Sequence, residues 1–327
     1  MENILITGGA GFIGSNIVEA MLARGYRVFV IDDMSSGRRE NLEEMGSNPR
    51  MSFIRGSILD RALLRELIRS NGISLVCHQA ARPSVAKSVK DPIGTTEVNI
   101  TGTVTLFHVA AECGCRRIVF ASSSSVYGDT PELPKREDMS FSPQSPYAVS
   151  KAAKELYGDV FSRLYGIEVI GLRYFNVYGR RQDPGSDYAA VIPKFISRAL
   201  AGEPLPIEGD GLQTRDFSYI DDVVEANISA LTREDLSGGV FNIACGSRIN
   251  VLDLAKLILS ITGSRSPIAW LPPRPGDVRD SLADIGSARK HLGFEPAYDI
   301  RSGLAETVRW YLLSGTAGQR RKATVAG

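Results

Sequence analysis

Six short apolar runs in the first 175 residues alternate with amphipathic stretches of helical period, and that alternation leaves few ways to fold. The runs cover residues 3–7, 27–32, 52–55, 75–79, 117–122 and 168–174, and most are rich in β-branched side chains. Runs this short and this apolar read as strands buried on both faces. The stretches between them, at 11–24, 60–70, 99–113 and 146–165, carry apolar residues at helical spacing. Strands joined through helices must cross over, which predicts an α/β fold built on a doubly wound parallel sheet.

The segment Thr7-Gly8-Gly9-Ala10-Gly11-Phe12-Ile13-Gly14 lies between the first run and the first helical stretch. Glycines there allow a tight turn, let backbone N–H groups approach a pyrophosphate closely, and bring helix against strand. Asp32 ends the second run, where a carboxylate can accept bonds from both hydroxyls of an adenosine ribose and would repel a 2′-phosphate. The pattern predicts a Rossmann-type domain with Gly8, Gly11, Gly14 and Asp32 on NAD rather than NADP. After Gly179, prolines at 184, 193, 204, 206, 267, 272, 273 and 275 break the chain into shorter elements. We therefore read 1–179 as the dinucleotide domain, 180–313 as mainly a smaller α/β substrate lobe, and 314–327 as a disordered tail.

Composition excludes several classes of function. Hydrophobic residues make up 43% and charged residues 23% of the 327, and the formal net charge is +1, so no nucleic-acid footprint is expected. No apolar run approaches the ~20 residues of a membrane span, and the strand at 3–7 leaves no room for a signal peptide. Cys77, Cys113, Cys115 and Cys245 are scattered, without the paired spacing of a zinc site. They read as reduced thiols of a cytoplasmic protein with no metal.

Two further segments carry the chemistry. Ser122-Ser123-Ser124-Ser125-Val126-Tyr127-Gly128 ends one predicted strand, and Tyr147-Ala-Val-Ser-Lys151 opens the helix behind it. Four residues apart on one helix, Tyr147 and Lys151 share a face. A free phenol, with a pKa of about 10, is a poor base near neutrality. A neighbouring ammonium and a positively charged nicotinamide favour the phenolate, and a serine hydroxyl at the strand end can steady a reacting oxygen. That is equipment for moving a proton to and from an alcohol.

Through these segments the chain resembles the extended short-chain dehydrogenases/reductases, and over nearly its whole length the nucleotide-sugar 4-epimerases. His78-Gln-Ala-Ala81, Arg173-Tyr-Phe-Asn-Val-Tyr-Gly179, Arg215-Asp-Phe-Ser-Tyr-Ile-Asp221 and Arg274-Pro-Gly-Asp277 also carry the resemblance. It implies Ser123 as the catalytic serine, with Ser124 as helper, Tyr147 as the base and Lys151 holding the nicotinamide ribose. It implies Phe12, Ile13, Ser57, Ile58, Ala80, Tyr147, Lys151 and Tyr174 on the cofactor. The family usually carries Gly-Asp where this chain has Gly56-Ser57, so the adenine contact at Ser57 is a hydroxyl.

The related dehydratases and decarboxylases carry an acid beside the catalytic Ser or Thr, where this chain has Ser124 and Ser125. The resemblance therefore implies C4 epimerisation of a UDP-hexose through a transient 4-keto sugar. It places Ser84, Ser123, Tyr147, Asn176, Ala190, Val191, Arg215, Arg274, Asp277 and Ser281 on that substrate. At the position of Ser281 a bulky Tyr restricts epimerases to glucose and galactose, whereas a Ser leaves room for an acetamide, which favours UDP-GlcNAc and UDP-GalNAc. The segment from Gly179 to Lys194 resembles the subgroup that prefers N-acetylated sugars. Arg82 could instead meet a 6-carboxylate, which keeps a uronic-acid substrate open, although glucuronate 4-epimerases tend to carry Thr at the Asn176 position. A homodimer through a four-helix bundle is the family expectation.

Overall fold

The computed structural model describes residues 2–185, 190–273 and 278–314. Arg274 and Asp277 lie outside them, as does the expected disordered tail except for Ser314. The predicted strands form as β1 (Asn3–Thr7), β2 (Arg27–Asp32), β3 (Met51–Arg55), β4 (Leu75–His78), β5 (Arg117–Ser123) and β6 (Glu168–Tyr174). Between and after them lie the helices α1 (Phe12–Ala23), α2 (Arg61–Ser70), α3 (Val85–Lys90), α4 (Pro92–Thr96), α5 (Gly102–Glu112) and α6 (Pro146–Tyr165). Farther along come α7 (Val191–Ala201), α8 (Ile220–Thr232), α9 (Val251–Thr262), α10 (Gly286–Leu292) and α11 (Ile300–Leu313).

All strands of the main sheet run parallel, in the order β6, β5, β4, β1, β2, β3, with one further strand outside β6. Period-two alternation sends Ile4 and Ile6 of β1 into one core and Leu5 into the other. Val28, Val30, Val119 and Ile170 follow the first pair, and Phe29, Ile31, Ile118 and Phe120 follow Leu5. Fully burying such side chains stabilises by about 1.5–3 kcal/mol each. The sequence order reverses between β1 and β4, so the crevice at their carboxyl ends is where this architecture takes a ligand.

The outermost strand was not legible as such. Gly238–Ile243 returns from far along the chain to pair in parallel with Val169–Tyr174 of β6. The chain thus crosses back over the expected boundary at 179. The rest of the second half is smaller pieces: Leu205–Glu208 beside Ile268–Leu271, and Thr214–Arg215 beside Ile249–Asn250. These pack with α7 and α9 into the same core as one face of the main sheet.

Candidate active site

A cavity of about 1170 Å³ runs along the carboxyl ends of the strands and into the second half of the chain. Its first wall is the glycine turn. Gly8 sits at φ +68°, and a Cβ there would lie 2.7 Å from the Ala80 backbone nitrogen; one on Gly14 would lie 2.2 Å from the Gly8 oxygen. The cradle is closed to any side chain but open to a backbone-bound pyrophosphate. Phe12, Ile13, Ser57, Ile58, Ala80 and Tyr174 line the same cavity. The Asp32 carboxylate is held by the N–H groups of Ala10 at 3.0 Å and Met34 at 2.9 Å. Burial raises its pKa while those two bonds lower it.

The second wall is built on α6. Ser145 caps the helix by accepting the Ala148 N–H at 3.1 Å, and Pro146 supplies the first turn. Tyr147 and Lys151 then face the cavity on consecutive turns, with the Lys151 Nζ 5.5 Å from the centre of the phenol ring. Tyr147, Ser123 and Ser124 line the cavity together. Burial pushes the Tyr147 phenol above its ordinary value, and the Ser123 side chain pulls it back. Burial likewise pulls the Lys151 ammonium down to about 8, opposed by Glu155. Lys151 donates to the Ala121 carbonyl at 2.8 Å, which fixes it under the ring.

Several groups that hold this arrangement were not foreseen. A π-helical turn, Glu97–Thr101, buries Asn99 completely. Its side chain accepts the Arg82 N–H at 2.8 Å and donates to Ser150 at 3.0 Å, tying the loop after β4 to the catalytic helix. Glu155, one turn beyond Lys151, forms a buried pair with Arg173 of β6 at 2.6 Å and accepts from Ser122. Arg173 also donates to the Tyr127 hydroxyl at 2.7 Å.

The expected substrate residues divide. Ser84, Asn176, Ala190, Arg215 and Ser281 line the cavity; Val191 does not, and instead opens α7. The Asn176 side-chain amide donates to the Asp216 carbonyl at 2.8 Å, and the Ser281 backbone N–H to the Thr214 carbonyl at 3.1 Å. The buried Asp216 carboxylate collects the N–H groups of Cys245, Gly246 and Ala283, pinning the turn beside Ser281. Arg82 pairs with Asp91 at 2.5 Å rather than lining the cavity, because the α3–α4 junction places that carboxylate within its reach.

Residues 4–244 match the model of the NAD dependent epimerase/dehydratase family. The chain belongs to this family. As a member it takes NAD, and the glycine cradle with Asp32 fits that cofactor. It is 40% identical over 309 residues to the UDP-glucose 4-epimerase of Mycolicibacterium smegmatis, covering 94% of this chain and 97% of that one. The UDP-glucose 4-epimerase of Thermotoga maritima, solved with UDP-glucose, superposes with a TM-score of 0.90 at 39% identity, over 95% of this chain and 99% of that one. The UDP-N-acetylglucosamine 4-epimerase of Methanobrevibacter ruminantium, solved with UDP-N-acetylmuramic acid, does so with a TM-score of 0.91 at 39% identity. That match covers 96% of this chain and 99% of the solved one. Among this member's described residues no helix is long and apolar enough to cross a membrane, and no cluster of His, Cys, Asp or Glu could hold a metal ion.

The pH dependence follows from Lys151. Its folded-state pKa is lowered, so the charged form is lost as pH rises through about 8. We expect kcat/KM to fall on the alkaline side with a midpoint near that value. A limb found only near the ordinary lysine pKa of about 10.4 would detach Lys151 from the rate.

Proposed function

We propose that the protein inverts C4 of a UDP-hexose, most favourably UDP-GlcNAc and UDP-GalNAc, and also UDP-glucose and UDP-galactose. The observation that carries this is the convergence of Ser123, Tyr147 and Lys151 on a cavity shared with the NAD cradle, with no carboxylate in the serine run. Tyr147 takes the 4-hydroxyl proton and later returns it, Ser123 and Ser124 hold the reacting oxygen, and Lys151 keeps the phenol ionisable. Held at the Gly8–Gly14 cradle and Asp32, NAD would supply a reversible hydride acceptor for C4. With no acid beside Ser123, elimination of water lacks its proton donor, which favours inversion over dehydration.

Inversion requires the sugar to turn over while the nucleotide stays clamped. The second-half residues Asn176 and Arg215 border the cavity opposite α6 and suit that clamp, and Arg274 and Asp277 are proposed to complete it. Ser281 leaves space for an acetamide, and the pairing of Arg82 with Asp91 weighs against a 6-carboxylate. Val149, Leu156, Tyr157, Leu164 and Tyr165 lie exposed along α6 and suit the expected homodimer, a second copy covering them.

The test is to incubate purified protein with UDP-GlcNAc, UDP-glucose and UDP-glucuronic acid and follow C4 configuration by NMR. Redox-neutral inversion is expected, whereas released NADH, CO₂ or a stable keto sugar would overturn the reading. Ser281→Tyr should lose activity on the acetylated sugar by roughly 5- to 150-fold relative to UDP-glucose, the equivalent of about 1–3 kcal/mol of overpacking. Equal losses on both sugars would remove Ser281 as the gate.

A further inference from the structure

Three residues beyond Lys151, the catalytic helix carries a second lysine that the proposed mechanism does not use. Lys154 is 1% exposed, and among the described residues no carboxylate pairs with it. Its recorded partner is the fully buried His78 at the end of β4, whose Nε2 lies 3.2 Å from the Lys154 Nζ. Glu155, the next residue, is turned to Arg173. The titratable groups facing Lys154 are thus His78 from β4 and Lys151 from its own helix. From β1 and α5 come only the hydroxyls of Thr7 and Thr103, both on the His78 ring.

Counting donors around that ring fixes its protons. Thr7 Oγ1 accepts the Ala80 N–H at 3.2 Å, so its own O–H is free to donate to His78 Nδ1 at 2.8 Å. Thr103 donates to the Asn99 carbonyl at 2.7 Å, so toward His78 Nε2, at 3.0 Å, it offers a lone pair. The ring that satisfies both hydroxyls is neutral with its proton on Nε2; the other tautomer strands the buried Thr7 O–H. An ammonium at Lys154 would then confront an N–H with N–H, since it has three donors and no lone pair. A neutral amine has one. Burial and the charge of Lys151 act in the same direction on Lys154.

We propose that Lys154 is a positioning residue that works as an uncharged amine, sharing the His78 Nε2 proton with the Thr103 hydroxyl oxygen so that Lys151 alone carries charge behind Tyr147. The chain Lys154–His78–Thr7–Ala80 then ties the catalytic helix to the two backbone segments that wall the NAD cradle. The role rests on Tyr147 and Lys151 handling the proton as proposed above, but the charge state can be read without turnover.

In the unfolded chain a lysine is charged well past neutrality, with a pKa of about 10.4. An amine uncharged when folded therefore takes up one proton on unfolding, and the folded state loses stability as pH falls. The measurement is the urea unfolding of NAD-bound wild type and Lys154→Met from pH 6 to 9. The ratio of their unfolding constants should change about tenfold per pH unit, with the variant gaining at low pH. A ratio constant across that range would overturn the proposal. In wild-type holoenzyme, ¹³Cε-lysine NMR at neutral pH should show one resonance at the amine position, and a spectrum of ammonium signals alone would overturn it without any variant. The acid-side limb of kcat, which Tyr147 sets as the base, should stay in place in Lys154→Met; an upward move would mean that a cation had been removed from beside Tyr147, and would count against the uncharged amine.

Discussion

Replacing Tyr147 with phenylalanine should lower kcat by about 10²- to 10⁴-fold and leave NAD bound. The ring packs at the start of α6, where the Tyr147 backbone N–H donates to Ser88 at 3.1 Å, and none of that depends on the phenol oxygen. What the substitution removes is the one titratable oxygen that meets Ser123 and sits over Lys151. The cradle at Gly8 and Gly14 and the Asp32 carboxylate are untouched, so bound cofactor, measured by release on denaturation, should match wild type. Turnover of UDP-GlcNAc within a few-fold of wild type would dismiss Tyr147 as the base. Loss of NAD together with activity would instead point to a collapsed site.

Arg173→Met should destabilise the protein by about 3–5 kcal/mol, because it strands a buried carboxylate. Glu155 has both oxygens on Arg173, at 2.6 to 3.2 Å, and neither partner is more than 5% exposed. Removing the guanidinium leaves Glu155 the Ser122 hydroxyl and leaves the Tyr127 oxygen without its charged donor. The double variant Arg173→Met, Glu155→Leu should recover much of the loss, since replacing both ions with apolar groups leaves no orphan charge. Urea midpoints of the wild type and the two variants check this. A single variant as stable as wild type would mean that the pair is not buried as described.

The main sheet was legible because its strands are nearly pure β-branched and aliphatic runs, as in Ile4-Leu5-Ile6 and Val28-Phe29-Val30-Ile31, bounded by turn residues. The catalytic face was legible because Tyr147 and Lys151 are locked four apart by helix geometry. The Gly238–Ile243 strand was hidden by its two leading glycines and by Asn242, which is buried through side-chain bonds rather than by apolarity. The Glu155–Arg173 pair could not be read either, since charges on a helical period look like a solvated face until the partner strand is known. The partner of Arg82 was hidden for a related reason: sequence leaves it beside the substrate loop, and only the fold brings Asp91 to it. The π-helical turn that buries Asn99 has no local signature, being held by contacts with Arg82 and Ser150.

The returning strand bears on how the molecule can be made. A fragment ending at residue 179 would hold nearly every group of the NAD cradle, yet would present β6 as an open edge of buried, aliphatic backbone. Such an edge invites pairing with other chains. A cofactor half excised there is expected to self-associate through that edge, and during synthesis the sheet stays incomplete until the chain beyond residue 243 has been made.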